Sequence, residues 1–182
     1  VADINERIAE VPFVYAALAE LPVGSRIIDV GSTESPVALS LASLGHRVTA
    51  LDPRPYPLEH ANLEVHIGPL ETYQTDDTFD AAVLLSSIEH FGLGAYNLPE
   101  DAEADIKALA RLRELLKPGG TLVLTTPYGD APTTKLQRTY SPDQLDALLA
   151  GWEVRERSYL TRVTSTEWRR VERLDDYSGS HV

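Results

Sequence analysis

Two periodicities take turns along this chain between residues 26 and 160, and that alternation limits its fold more than any other feature. Short apolar or alternating runs make up the first. They are Arg26 to Gly31, Arg47 to Leu51 ahead of Asp52, Leu63 to Ile67, Asp80 to Leu85, Thr121 to Thr126 and Trp152 to Leu160. Each reads as a strand, and the nearly all-apolar Asp80 to Leu85 reads as one covered on both faces. Helical spacing fills the intervals. Pro36 to Leu44 has Ser35 as its N-cap and Gly45 as its stop. Asp101 to Leu116 carries Asp101, Glu103 and Asp105 in its first turn, where the helix dipole favours acids, and ends at Lys117-Pro118-Gly119-Gly120. Ser141 caps a helix running to Leu149, with Pro142 first and Gln144 three residues after the cap. Ahead of all these, Ile4, Ile8, Val11, Val14, Tyr15, Leu18 and Leu21 predict an amphipathic helix over 4–21, kinked or split at Pro12. The order specifies an α/β fold: a doubly wound, mostly parallel sheet with helices on both faces.

A sheet of this kind binds its ligand beyond the carboxyl ends of the strands, beside the first strand where the order reverses. The turn there is Gly31-Ser32-Thr33-Glu34-Ser35-Pro36. A dinucleotide site would need G-x-G-x-x-G, so that bare backbone can approach a pyrophosphate, and only the first glycine is present. Glu34 adds a carboxylate where two phosphates would lie. An oxidoreductase using a dinucleotide is therefore disfavoured, and no triphosphate-binding loop is present either. Asp52 follows Gly31 by 21 residues, at the end of the second strand, which suits a carboxylate accepting both hydroxyls of a ribose. The turn thus fits a nucleoside without a pyrophosphate.

Composition narrows the partners. The 182 residues suit one domain, and a net charge of −12 repels a nucleic-acid backbone. The densest basic run is Arg169, Arg170 and Arg173. No apolar run is long enough for a membrane span, and the polar start shows no secretory signal, so cytoplasm is the default expectation. The absence of cysteine excludes disulfides, thiolate metal sites and a thiol nucleophile; methionine is absent too.

The ordered set Ile27-Ile28-Asp29-Val30-Gly31, Asp52, Phe79-Asp80-Ala81-Ala82-Val83, Ser87-Ile88-Glu89-His90 and Leu116-Lys117-Pro118-Gly119-Gly120-Thr121-Leu122 resembles the class I S-adenosyl-methionine-dependent methyltransferases. VPFV and SSIEHFGLGAY resemble a bacterial subgroup that modifies small molecules and sugars. The resemblance implies one domain over 1–182, with six or seven strands. Residues 1–22 would form a helical lid, 23–127 the cofactor-binding core and 128–182 the substrate side. S-adenosyl-methionine is the implied cofactor and a small molecule the acceptor, its hydroxyl oxygen receiving the methyl group. Nitrogen methylation and a non-catalytic binding module are the alternatives. Thr33 and Ser35 replace two glycines of the family's loop, and Gly68-Pro69 replaces its usual Gly-Asp. No convincing apolar run follows residue 162, so the last strand is expected to be missing or atypical.

By this resemblance Asp29, Gly31, Ser32, Thr33, Asp52, Pro53, Leu70, Glu71, Ser86 and Ser87 form the cofactor site. Asp29 would lie under the amino acid tail, unless it only caps the loop, and Gly31 would allow close approach. Ser86 and Ser87 would touch the methionine portion or simply cap their loop. His90 is the best placed of the five histidines for general base work, or else it pairs with Glu89 to fix the loop. Phe13, Glu89, Phe91, Tyr96 and Tyr128 are the candidate acceptor contacts, and Tyr15 is read as lid or core packing. His46, His60, His66 and His181 have no comparable placement. Glu100, Asp101, Glu103 and Asp105 read as a solvated helix start rather than a magnesium site, so no metal is expected.

Overall fold

In the computed structural model, residues 4–94, 96 and 98–172 are described. Five parallel strands form the central sheet: β1 (Arg26–Val30), β2 (Arg47–Asp52), β3 (Leu63–Ile67), β4 (Phe79–Leu85) and β5 (Leu116–Thr125). Their order is β3-β2-β1-β4-β5, so the chain winds outward from β1 in one direction and then in the other. In register, Asp29 lies between Ala50 of β2 and Val83 of β4. The reversal of order therefore falls at the carboxyl ends of β1 and β4, the position at which sheets of this kind bind their ligands.

Alternate residues of the central strands face opposite helical layers. Ile28, Val30, Ala82 and Leu84 pack with α3 (Ala104–Leu115) and α4 (Pro142–Leu148) through Leu109, Leu112, Leu145 and Leu148. Ile27, Ala81, Val83 and Leu85 pack with α1 (Arg7–Leu18) and α2 (Val37–Ser43) through Val14, Leu18, Val37 and Leu41. The near-continuous apolar character of β4 thus has its expected cause, burial on both faces. Among the described residues, no helix is long and apolar enough to cross a membrane.

Several expectations need correction. α1 is not split at Pro12: the helix runs through it as one segment with Pro12 on its exposed side. There the carbonyl at Ile8, deprived of its intrahelical donor, faces water rather than core. α3 starts at Ala104, not Asp101, because Asp101 and Glu103 turn back to pair with Lys107. β5 starts at Leu116, which pairs with Phe79, and a register shift between Phe79 and Ala81 absorbs the Lys117-Pro118-Gly119 step. Among the described residues the central sheet has five strands, not six or seven. Trp152 to Ser158 pairs with no described strand; Trp152 instead packs beneath the guanidinium of Arg113 at 4.8 Å. Strand structure begins at β6 (Tyr159–Thr164), and β7 (Glu167–Val171) follows it in a separate antiparallel hairpin. A strand therefore does exist beyond residue 162. Its Ser165-Thr166 turn lacks the glycine or asparagine that marks a hairpin in sequence. The hairpin holds the start of the chain, since the Trp168 indole N–H donates to the Ile4 carbonyl at 2.9 Å. α4 matches its reading in full, with both hydrogen bonds of the Ser141–Gln144 capping box.

Candidate functional site

Beyond the end of β1 the chain makes a left-handed turn at Gly31 and a 3-10 turn over Ser32–Glu34. Asp29 is 1% exposed and its Oδ2 has no hydrogen-bond partner. Burial pushes its carboxyl up to about 7, with Arg7 opposing the rise and Asp52 adding to it. The hydroxyl of Ser32 is also buried and without a partner. Gly31 has φ +81°, and a Cβ on it would lie 2.3 Å from Cβ of Ser87. Its bare Cα thus makes room for the β4 loop.

The end of β2 holds a dense electrostatic knot. Asp52 accepts from the backbone N–H of Thr33 at 3.1 Å and that of Arg54 at 2.8 Å. The Arg54 guanidinium also grips it, through Nε at 3.1 Å and Nη2 at 3.3 Å. The same guanidinium donates to Glu34 at 2.5 Å and lies 4.3 Å above the ring of Tyr96. Against the downward pull of its partial burial, bonds to Asp52 and Glu34 hold the acidity of Arg54 below its ordinary level. Glu34 is thus a paired charge rather than a free one. Thr33 closes the knot by donating its hydroxyl to the Arg54 carbonyl at 3.2 Å. Pro53 lies within this loop. Leu70 packs into the core, and Glu71 is exposed on the turn after β3.

The β4 loop completes the ring. Ser87 donates to the Val30 carbonyl at 2.8 Å and so ties β4 to β1. Ser86 has φ +43°, is anchored through its N–H to Thr125, and donates its hydroxyl to Oε1 of Glu10 at 2.5 Å. Glu10 is buried, and its other oxygen accepts from Arg7 at 2.5 Å. Glu89 is 2% exposed, with Oε2 partnerless, and burial followed by the charge of Glu10 pushes it up to about 8. His90 holds the Leu136 carbonyl through Nδ1 at 2.5 Å, which assigns the ring proton to that nitrogen. Its Nε2 lies 4.0 Å from Oε1 of Glu89.

Of the acceptor candidates, Phe13 and Tyr128 line the same cavity of about 330 Å³, together with Glu10, Leu122, Leu124 and Trp152. Phe91 packs against the core instead. Tyr96 stands apart from that cavity, between Arg54 and the edge of His90. Tyr15 packs against the α1–α2 core. His46, His60 and His66 lie elsewhere: His60 accepts from Asn62, and His66 pairs with Glu64. Asp105 is bound by Arg138 and Tyr140, so the four carboxylates near α3 do not converge. Arg170 lies 3.7 Å from Glu156, while Arg173 and His181 lie outside the described residues.

Three functional candidates escape a reading by motif: Arg7, Glu10 and Arg54. Glu10 does leave a trace, because it shares one helix face with Val14 and Leu18, at i+4 and i+8. An acid on the buried stripe of a helix needs a partner there.

The sequence profile of the family described as "Caenorhabditis protein of unknown function, DUF268" matches residues 66–170, more than half of the chain. The chain belongs to the DUF268 family. It is also similar to the ubiquinone biosynthesis O-methyltransferase of Xanthomonas oryzae pv. oryzae, 33% identical over 114 residues, which cover 57% of this chain and 43% of that enzyme. The mitochondrial counterpart of Schizosaccharomyces pombe is 33% identical over 116 residues, covering 57% and 38%. The chain therefore spans less than half the length of these relatives. Among solved structures, the Burkholderia thailandensis 1,6-didemethyltoxoflavin-N1-methyltransferase, with its substrate and S-adenosylhomocysteine bound, superposes with a TM-score of 0.64. It is 22% identical, over 79% of this chain and 66% of that one. TehB from Haemophilus influenzae gives 0.58 at 18% identity, over 83% and 52%. This member of the DUF268 family therefore has the class I methyltransferase fold.

Proposed function

We propose that this site binds S-adenosyl-methionine and directs its methyl group to a small molecule, at a hydroxyl oxygen. The observation that carries the reading is the set of buried polar atoms without partners at the strand ends: Oδ2 of Asp29, Oγ of Ser32 and Oε2 of Glu89. A buried polar atom is costly unless a ligand or water satisfies it. The complementary ligand is one that offers hydrogen bonds to these atoms. Asp29 and Ser32 would receive the amino acid tail, and Asp52 the ribose diol once Arg54 yields it. A dinucleotide would need bare backbone for its pyrophosphate, and this turn has only the first of the three glycines that provide it. The O-methyltransferase names of the relatives support oxygen as the acceptor atom.

The cofactor supplies a methyl group already activated for displacement. The chain's own part is to hold, align and dry the reactants. α1 lies over the strand ends and is fastened there by the Glu10–Ser86 bond, which limits access of water. His90, its tautomer held by Leu136, presents Nε2 to accept the proton that a hydroxyl acceptor must lose. Isothermal titration with S-adenosylhomocysteine and, separately, with NAD tests the reading. Binding of the first and not the second is expected. NAD binding alone would replace it with an oxidoreductase, and binding of neither would favour a non-catalytic module.

A further inference from the structure

We infer that Arg138 is a positioning residue of the candidate site: through the exposed loop that it anchors, it sets the place and the tautomer of His90. The inference adds a residue to the proposed methyl transfer and rests on that reading for the use made of His90.

His90 does not sit on a strand. It closes a short 3-10 turn, Ile88–His90, and two hydrogen bonds tie that turn to a distant part of the chain. Nδ1 of His90 meets the Leu136 carbonyl at 2.5 Å. The carbonyl of Glu89 accepts from the backbone N–H of Arg138 at 2.9 Å. Both partners belong to one loop. Its base is closed, because the Gly129 N–H donates to the Tyr140 carbonyl at 2.9 Å and the Tyr140 N–H to the Pro127 carbonyl at 3.0 Å. Near its tip the Thr134 hydroxyl accepts from the backbone N–H groups of Leu136 and Gln137.

Left to itself, such a loop could not aim an imidazole. Residues 130–137 are exposed, and Leu136 is 72% exposed. A hydrogen bond open to water contributes no more than the entropy lost in ordering a single backbone residue. Something buried has to hold the segment, and Arg138 is where it turns inward. Its side chain is 13% exposed, and its Nη1 donates to Oδ2 of Asp105 at 3.0 Å. Asp105 is buried in the first turn of α3, and the same oxygen accepts from the Tyr140 hydroxyl at 2.9 Å.

Charge-assisted bonds shared by three side chains away from water make this cluster the stiff end of the loop. It sits on the residue whose N–H holds Glu89 and two residues from the carbonyl that holds His90. Support therefore passes from α3 through Asp105 and Arg138 to the turn that carries His90. The cofactor side is held separately, Asp52 by Thr33 and Arg54. Loosening Arg138 should thus disturb His90 and spare the cofactor.

The test is 15N-histidine NMR of the full chain, which reads each ring nitrogen separately, with His90→Gln identifying the His90 signals. In the wild-type chain the neutral ring should carry its proton on Nδ1. Arg138→Leu should cut the ratio of Nδ1–H to Nε2–H forms about fivefold, the equivalent of one ordinary hydrogen bond, with Arg138→Lys in between. Ser141→Ala weakens the neighbouring α4 cap without touching the cluster, so it should lower the melting temperature and leave the ratio unmoved. S-adenosylhomocysteine affinity should stay within about twofold of wild type in both Arg138 variants. An Nε2–H ring in the wild type, an unmoved ratio in a folded Arg138→Leu chain, or an equal fall in Ser141→Ala would overturn the inference. If Arg138→Leu does not fold, Arg138→Lys decides, and an unmoved ratio there overturns it. Failure of the wild-type chain to bind S-adenosylhomocysteine would sink the methyltransferase reading, while the ratio would still report on Arg138.

Discussion

Gly31 should be one of the least replaceable residues of the chain, for reasons of packing as much as ligand binding. At φ +81° a side chain faces steric cost of roughly 1–2 kcal/mol. An added Cβ would also lie 2.3 Å from Cβ of Ser87, far inside ordinary contact. Ser87 cannot move away freely, because its hydroxyl holds the Val30 carbonyl. Overpacking of this kind adds about 1–3 kcal/mol. Gly31→Ala should therefore cost about 3 kcal/mol and lower the melting temperature by roughly 6–12 °C for a domain of this size. Gly24→Ala is the control: φ is +87°, but nothing lies within 4 Å of the added Cβ, so only the backbone cost applies. Differential scanning calorimetry of both variants, and of Gly31→Ala in a Ser87→Gly background, separates the two contributions. The steric share should shrink in that background, a coupling of about 1–2 kcal/mol. Equal melting temperatures for Gly31→Ala and Gly24→Ala would refute the packing argument.

Asp52→Ala should weaken S-adenosylhomocysteine binding by ~1–3 kcal/mol in calorimetry, since it strips the acceptor from the ribose position; unchanged affinity would remove Asp52 from the site. Asp29 and Glu89 hold their protons more tightly folded than unfolded, with ordinary values of 3.8 and 4.5 raised to about 7 and about 8. Their contribution is fully present below pH 4 and is lost as pH rises through the folded values. Urea unfolding from pH 5 to pH 8 should show a falling contribution, less steep in Glu89→Gln; an identical slope in both chains would contradict this. Ser141→Ala breaks the capping box at α4 and should cost about 1 kcal/mol in the same assay.

The five central strands and the place of the candidate site could be read from residue pattern, because burial writes itself into the local composition of β1, β2 and β4 and short apolar runs mark the edges. Asp29, Asp52, Ser86 and Ser87 could be placed for the same reason: strand ends are visible and the topology says which ends matter. Arg7 and Arg54 could not: each grips a carboxylate two or three residues away, but where the fold seats those pairs is not written in the local spacing. The stretch Trp152 to Ser158 alternates like a strand and yet has no described neighbour to pair with. Alternation reports a half-buried surface, whereas a strand also needs a partner edge. Leu70 is placed by its position after β3, and its side chain packs into the core.

The grip of Arg54 on Asp52 means that a guest with a diol does not enter an open berth; it evicts a resident. Calorimetry on such a guest will read an exchange, new contacts minus those given up, and the intrinsic strength of the diol contact will be larger than the measured figure. Added salt weakens the resident's hold more than that of an uncharged diol. Moderate ionic strength should then help the newcomer, the reverse of what a strongly acidic protein facing a cationic ligand would suggest.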